Sequence, residues 1–144
     1  MSMTYRYVDT VNPDGTMRKR PAIPVLFSCG DEKAEIMSLI DSGADMSAID
    51  FRWAELLGLN LSGKKTKSFG VGSEIDTVIS KVRAEVFRGH ERYSYDIPIR
   101  VLFIDDSEPF ITTLIGRKGF FDHFKITIDE SQQKVTLKSN GQSD

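Results

Sequence analysis

The sequence is poor in the residues that build metal and disulfide sites. It holds one cysteine, Cys29, and two histidines, His90 and His123, in 144 residues. A lone cysteine excludes an internal disulfide, and these three residues match no metal-ligand spacing. No stretch approaches the roughly eighteen consecutive apolar residues of a membrane-spanning helix, and the N-terminus lacks the basic-then-apolar layout of a secretory leader. A cytoplasmic, reducing location is therefore expected. Neither sign of charge is in excess. A net charge of −2 with 28% charged residues gives no reason to invoke nucleic acid or an anionic membrane surface. The basic runs Arg18-Lys19-Arg20 and Lys64, Lys65, Lys67 read as solvated turns. Cofactor fingerprints are missing as well. Gly58 to Lys64 follows G-x-x-x-x-G-K, but Lys65 stands where Ser or Thr is required and a helix precedes it; Gly70-Val71-Gly72 has Ile75 where a third glycine belongs. Ser42 is not in a G-x-S-x-G elbow.

What the chain has in quantity is short alternating segments. Val82, Ala84 and Val86 interleave with Lys81, Arg83 and Glu85, and after Arg88-Gly89-His90-Glu91 the alternation resumes through Tyr93, Tyr95, Ile97, Ile99, Val101 and Phe103. Strand character also marks residues 4–11, Ala22 to Phe27 and Ala34 to Ile40, with Asn12-Pro13-Asp14-Gly15 as a turn and Pro21 and Pro24 placing the second of these partly at a sheet edge. A short helix is predicted over Phe51–Leu57, N-capped by Asp50, stopped by Gly58, and burying Trp53 and Leu57 on one face. Beyond an acidic loop at Asp105 to Pro109, a buried strand is expected over Phe110 to Ile115. A turn or helical segment at Gly119 to Phe124 follows, with Phe120, Phe121 and Phe124 in the core, then a hairpin pairing Ile126-Thr127-Ile128 with Val135-Thr136-Leu137. Many strands with little helix indicate a one-domain, all-β barrel or sandwich.

The chemistry concentrates in Leu39-Ile40-Asp41-Ser42-Gly43-Ala44-Asp45-Met46-Ser47-Ala48-Ile49. An apolar strand ending in Ile40 delivers Asp41 to the rim of the core, where burial and a second nearby carboxylate would both disfavour its ionised form. Gly43 lets the chain turn tightly and lets a ligand approach the main chain, and Ser42 supplies a hydroxyl. Downstream stands Leu114-Ile115-Gly116-Arg117. Glycines at Gly70 and Gly72, around Val71, lower the cost of the unusual backbone angles that a movable hairpin needs.

The Asp41 stretch and Leu114-Ile115-Gly116-Arg117, in this order, are similar to the two signatures of the retropepsin-like aspartic proteases. The resemblance covers residues 22–138, with 1–21 as an N-terminal strand or hairpin extension of the same domain and 139–144 as a frayed tail. It implies an all-β, single-lobe, closed antiparallel barrel with one or two short helices, and an endopeptidase without metal or cofactor. Asp41 would be the catalytic residue. Ser42 would bond across a dimer axis, Gly43 would offer its carbonyl to substrate, and Asp45 would contact substrate main chain and pair with Arg117. Gly70, Val71, Gly72 and Ser73 resemble a flap, and Ala44, Ala48, Thr112 and Leu114 stand at substrate-lining positions. Two departures from the viral enzymes, the absence of double flap glycines and a longer region from Phe120 to Lys138, make the chain look more like a cellular or microbial relative.

Hydrolysis by carboxylates needs two of them sharing one proton. No second Asp-Ser/Thr-Gly occurs, since Asp106-Ser107-Glu108 lacks the glycine. The second aspartate is therefore expected from another copy, in a two-fold homodimer acting on a peptide or protein substrate. The alternatives are a dimeric peptide-binding module of the same fold that cuts weakly or not at all, and a barrel in which the Asp41 loop is only structural.

Overall fold

A run of alternating apolar residues can bury one face of a strand only if something curls round it, and in this chain the sheet curls round itself. The structure, a computed structural model, describes residues 2–12, 14–70 and 73–141. Its elements in order are β1 (Ser2–Arg6), β2 (Val8–Val11), β3 (Met17–Arg20), β4 (Ala22–Cys29), β5 (Glu32–Ile40), β6 (Ser47–Asp50), α1 (Phe51–Leu57), β7 (Thr66–Gly70), β8 (Ser73–Arg88), β9 (Glu91–Phe103), β10 (Thr113–Ile115), a single 3-10 turn (Phe121–His123), β11 (Phe124–Asp129) and β12 (Lys134–Ser139).

The main sheet runs β4-β5-β10-β6-β9-β8-β7, and β4 also pairs with β8. That last pairing closes six strands into a barrel and leaves β7 as an outer strand on β8. The expected all-β barrel with a short helix is what the structure shows. It is not antiparallel throughout, because β5 pairs with β10 and β6 with β9 in parallel. Such seams join segments far apart in sequence, so no local turn signal announces them. The side chains of Ile23, Val25, Phe27, Ile97, Ile99 and Ile115 are fully enclosed, and Val82, Ala84 and Val86 face the same interior.

A second sheet, β1-β12-β11, joins the two ends of the chain. Met3 and Tyr5 of β1 and Val135 and Leu137 of β12 belong to the same core as the barrel, and the Tyr5 hydroxyl donates to the Phe87 carbonyl at 3.0 Å. The strand expected over residues 4–11 is broken at Tyr7, whose amide instead donates to the Gln133 carbonyl at 2.9 Å. The chain then leaves as the β2–β3 hairpin, which pairs with itself alone among the described strands. The edge position expected for the prolines holds in part: β8 pairs only Leu26–Ser28 of β4, leaving Ala22–Val25 with β5 as sole partner.

Asp50 caps α1 by accepting from the Arg52 amide, and Gly58, with φ of 70°, closes its C-terminus. The fully buried pair on this helix is Ala54 and Leu57, while Trp53 is half-buried against the same core and also meets Phe110, 5.5 Å between ring centroids. The strand predicted over Phe110 to Ile115 is confined to its last three residues, and Phe110 is 51% exposed. The carbonyls before it are bound by Arg52, which removes them from any ladder. Among the described residues no helix is long and apolar enough to cross a membrane.

Candidate active site

β5 alternates Ile36, Ser38 and Ile40 into the interior and ends as the chain turns out at Asp41. The Asp41 amide donates to the Ile115 carbonyl at 3.0 Å, so the aspartate starts from a fixed rung between β5 and β10. Its carboxylate Oδ1 accepts from the Gly43 amide at 2.9 Å, and its carbonyl accepts from the Ala44 amide at 3.2 Å. Asp41 is half-buried, while Ser42, Gly43 and Asp45 are exposed. The result is a tight surface turn with one carboxylate oriented by its own backbone.

The exit of β10 grips the same turn from the other side. The Arg117 amide donates to the Ala44 carbonyl at 2.9 Å and the Lys118 amide to the Asp45 carbonyl at 2.8 Å. The Gly116 amide donates to Ser47 Oγ at 3.0 Å, where Ser47 is fully buried. A Cβ on Gly116 would stand 2.5 Å from the Met46 carbonyl carbon and 2.9 Å from the Ala44 oxygen, so only glycine fits. This gives the Leu114-Ile115-Gly116-Arg117 run a physical reason. Its backbone is the clamp of the aspartate loop.

The expected Asp45–Arg117 ion pair is not formed in the single chain. Both side chains are exposed, and the two segments are joined through main-chain bonds instead. Ala48 is buried directly opposite half-buried Leu114, whereas Thr112 is exposed just ahead of β10. Gly70 and Ser73 face each other as the terminal rung of the β7–β8 hairpin. Val71 and Gly72 lie outside the described residues. Two open grooves on the single chain, one lined in part by Ser28, Cys29, Lys81 and Arg83 and the other by Cys29, Asn60 and Ser80, include no residue of the Asp41 loop. Among the described residues no group of three or more His, Cys, Asp or Glu side chains is placed to hold a metal ion.

Sequence reasoning passed over Arg52. Asp50, read only as a helix cap, is fully enclosed and carries a two-point ion pair with Arg52: Nε to Oδ1 at 2.9 Å and an outer nitrogen to Oδ2 at 2.7 Å. Burial pushes the Asp50 carboxyl up, yet the hydrogen bonds from the Arg52 side chain, the Arg52 amide and the Ile111 amide outweigh it, leaving the pKa below the ordinary carboxylate value of 3.8. The pairing of i with i+2 across a strand-helix junction has no periodic signature, and Arg52's other partners lie in a distant loop.

No protein-family model matches the chain, and no curated protein matches it. Solved structures do. A retropepsin-like aspartic protease from Rickettsia conorii aligns over 95% of this chain and 98% of its own, with 16% identity and a TM-score of 0.55. The protease of EIAV, in complex with the inhibitor HBY-793, aligns over 69% and 83% with 24% identity and a TM-score of 0.44. The retroviral protease-like domain of Ddi1 from Leishmania major aligns over 85% and 90% with 18% identity and a TM-score of 0.43. The near-complete mutual coverage with the Rickettsia protein identifies the architecture.

Proposed function

From the premise that this chain has the retropepsin-like fold, we propose that it is an aspartic endopeptidase whose site is completed by a second copy of itself. The unit concerned spans residues 22–138. The observation that carries the reading is the double grip on Asp41: a lone carboxylate on a surface turn, fixed from behind by β10 and from the side by the residues after it. This anchorage holds the carboxylate in one orientation, and a single carboxylate has no chemistry of its own to perform on an amide.

Across a two-fold axis, two Asp41 side chains share one proton. The ionised member takes a proton from water as its oxygen attacks the scissile carbonyl carbon, and the protonated member hydrogen-bonds the carbonyl oxygen as charge develops there. Protonation of the departing nitrogen then breaks the C–N bond and leaves an acid and an amine. Gly43 and Asp45, exposed beside Asp41, are the groups available to substrate main chain, with Ala44, Ala48, Thr112 and Leu114 lining the approach. The β7–β8 hairpin, whose last described rung pairs Gly70 with Ser73, would cover it. Ser42 is exposed and available to the partner's loop, and Arg117 with Asp45 would pair once the second copy orders them.

Incubation with a mixed peptide library across acidic and neutral pH tests this. Cleavage that is blocked by a pepstatin-like inhibitor, falls toward alkaline pH and is lost by at least about 10³-fold in Asp41→Asn, with sedimentation still reporting a dimer, supports the reading. Binding of peptides without cleavage would reassign the protein as an interaction module, and a strict monomer at micromolar concentration would remove the dyad altogether.

A further inference from the structure

The loop between β9 and β10 carries three acids, Asp105, Asp106 and Glu108, and has no strand partner. Arg52 holds it. One outer nitrogen of the guanidinium donates to the carbonyls of Asp106 at 3.4 Å and Glu108 at 2.9 Å, and the other donates to the Pro109 carbonyl at 3.3 Å as well as to Asp50. With Nε on Asp50, these bonds engage all five N–H groups that an arginine has. The guanidinium carbon also lies 4.1 Å from the centroid of the Phe110 ring, whose other contact is the edge of Trp53. Asp50 meanwhile accepts from the Ile111 amide at 3.3 Å.

Ile111 is two residues ahead of β10, and β10 is only three residues long. At its far end the Ile115 carbonyl holds the Asp41 amide, and Gly116, Arg117 and Lys118 bind the Asp41 loop. A strand this short has few rungs of its own to fix its position along β5 and β6, so its placement depends on what anchors its ends. We propose that Asp50 and Arg52 form a positioning lock: by seating the 105–111 loop they set the register and depth of β10, and through Ile115 the placement of the Asp41 carboxylate. Neither residue touches substrate in this scheme. It rests on the proposed peptidase reading for its effect on rate, but its geometric claim stands apart from that reading.

Arg52→Lys is the sharp variant, because lysine keeps the charge and pairs with Asp50 but lacks the fork that spans Asp50 and three carbonyls together. Two measurements separate the possibilities. The first is amide NMR at Asp41 and Gly43, with acrylamide quenching of Trp53, the chain's one tryptophan, as a monitor of whether the loop has left Phe110's seat. In Arg52→Lys, Trp53 becomes more accessible and the Asp41 and Gly43 resonances shift or broaden, while circular dichroism and the dimer are retained. The second is kinetics per site titrated with inhibitor: kcat falls about tenfold or more, with KM changing less. Asp50→Asn lowers kcat too, and Asp50→Asn with Arg52→Lys together cost little more than the larger single change, as expected for residues acting as one unit. Arg83→Lys, on an exposed pair with Asp96, is the control and changes neither readout. The lock is overturned if Trp53 reports a released loop while the Asp41 and Gly43 signals stay in place, or if the variants lower melting temperature alone with kcat unaltered. An inactive wild type would refute the peptidase reading and leave the NMR arm to decide the lock.

Discussion

Gly116 has no space for even a methyl group, since the atoms it would strike are main-chain atoms of Met46 and Ala44 that cannot rotate away. Gly116→Ala should force the Asp41 loop off β10 and cost about 2–4 kcal/mol, measured by urea unfolding, with activity lost faster than stability. At this scale the sequence was most informative where the chemistry is local. Asp41, with the Gly43 amide bonded to it, and Gly116, held against the loop, sit inside the two short strings that carry the resemblance, so the turn and its neighbour could be located from the letters. Arg52 was illegible for the opposite reason: its meaning comes from carbonyls more than fifty positions further along the chain. The expected Asp45–Arg117 pair failed in the single chain because both side chains face solvent and main-chain bonds do the joining.

Among elements, the Lys81–Val86 part of β8 and Tyr93–Phe103 of β9 were readable from alternation, because there each presents one face to the barrel; the first half of β8 was not, since Thr77 and Val78 are buried side by side. β10 was not. Its apolar run continues back to Phe110, but the Ile111 amide is taken by Asp50 and pairing with β5 begins only at Thr113. The parallel seams were equally invisible, since they depend on where segments far apart in sequence come to lie. β1 yields a direct test. Met3 and Tyr5 bury nearly all of their surface and β1 covers the outer edge of β12. Removing residues 2–6 should therefore cost on the order of 3–6 kcal/mol, read as a lowered denaturation midpoint. It should also promote association through the newly bare edge of β12, seen by light scattering.

For the molecule as a whole, acid tolerance follows from its aspartates. Asp14, Asp76, Asp105 and Asp129, like Asp50, have pKa values below the ordinary 3.8, the first through the Thr16 hydroxyl, the second through Lys67, the third through the Ser107 amide and the fourth through the Gln132 amide. A depressed folded-state value means that the stabilisation is fully present above 3.8 and is withdrawn only as pH drops through the lower folded values. Thermal melts should thus show no loss from these groups between neutrality and about pH 4 and a decline below it, with Asp50→Asn flattening that decline. The fold would then still stand in the mildly acidic range in which the proposed activity is to be assayed.

β8 passes without interruption from its pairing with β7 into the wall of the barrel, sixteen residues in a single strand. A beam of this kind has no joint along it and is flanked on both sides, by β7 and β9 at Asp76–Thr77 and by β4 and β9 at Arg83–Glu85. Deflecting its free end must curve it like a leaf spring, with the bending spread over many peptide units and the restoring force supplied by the wall into which it is built.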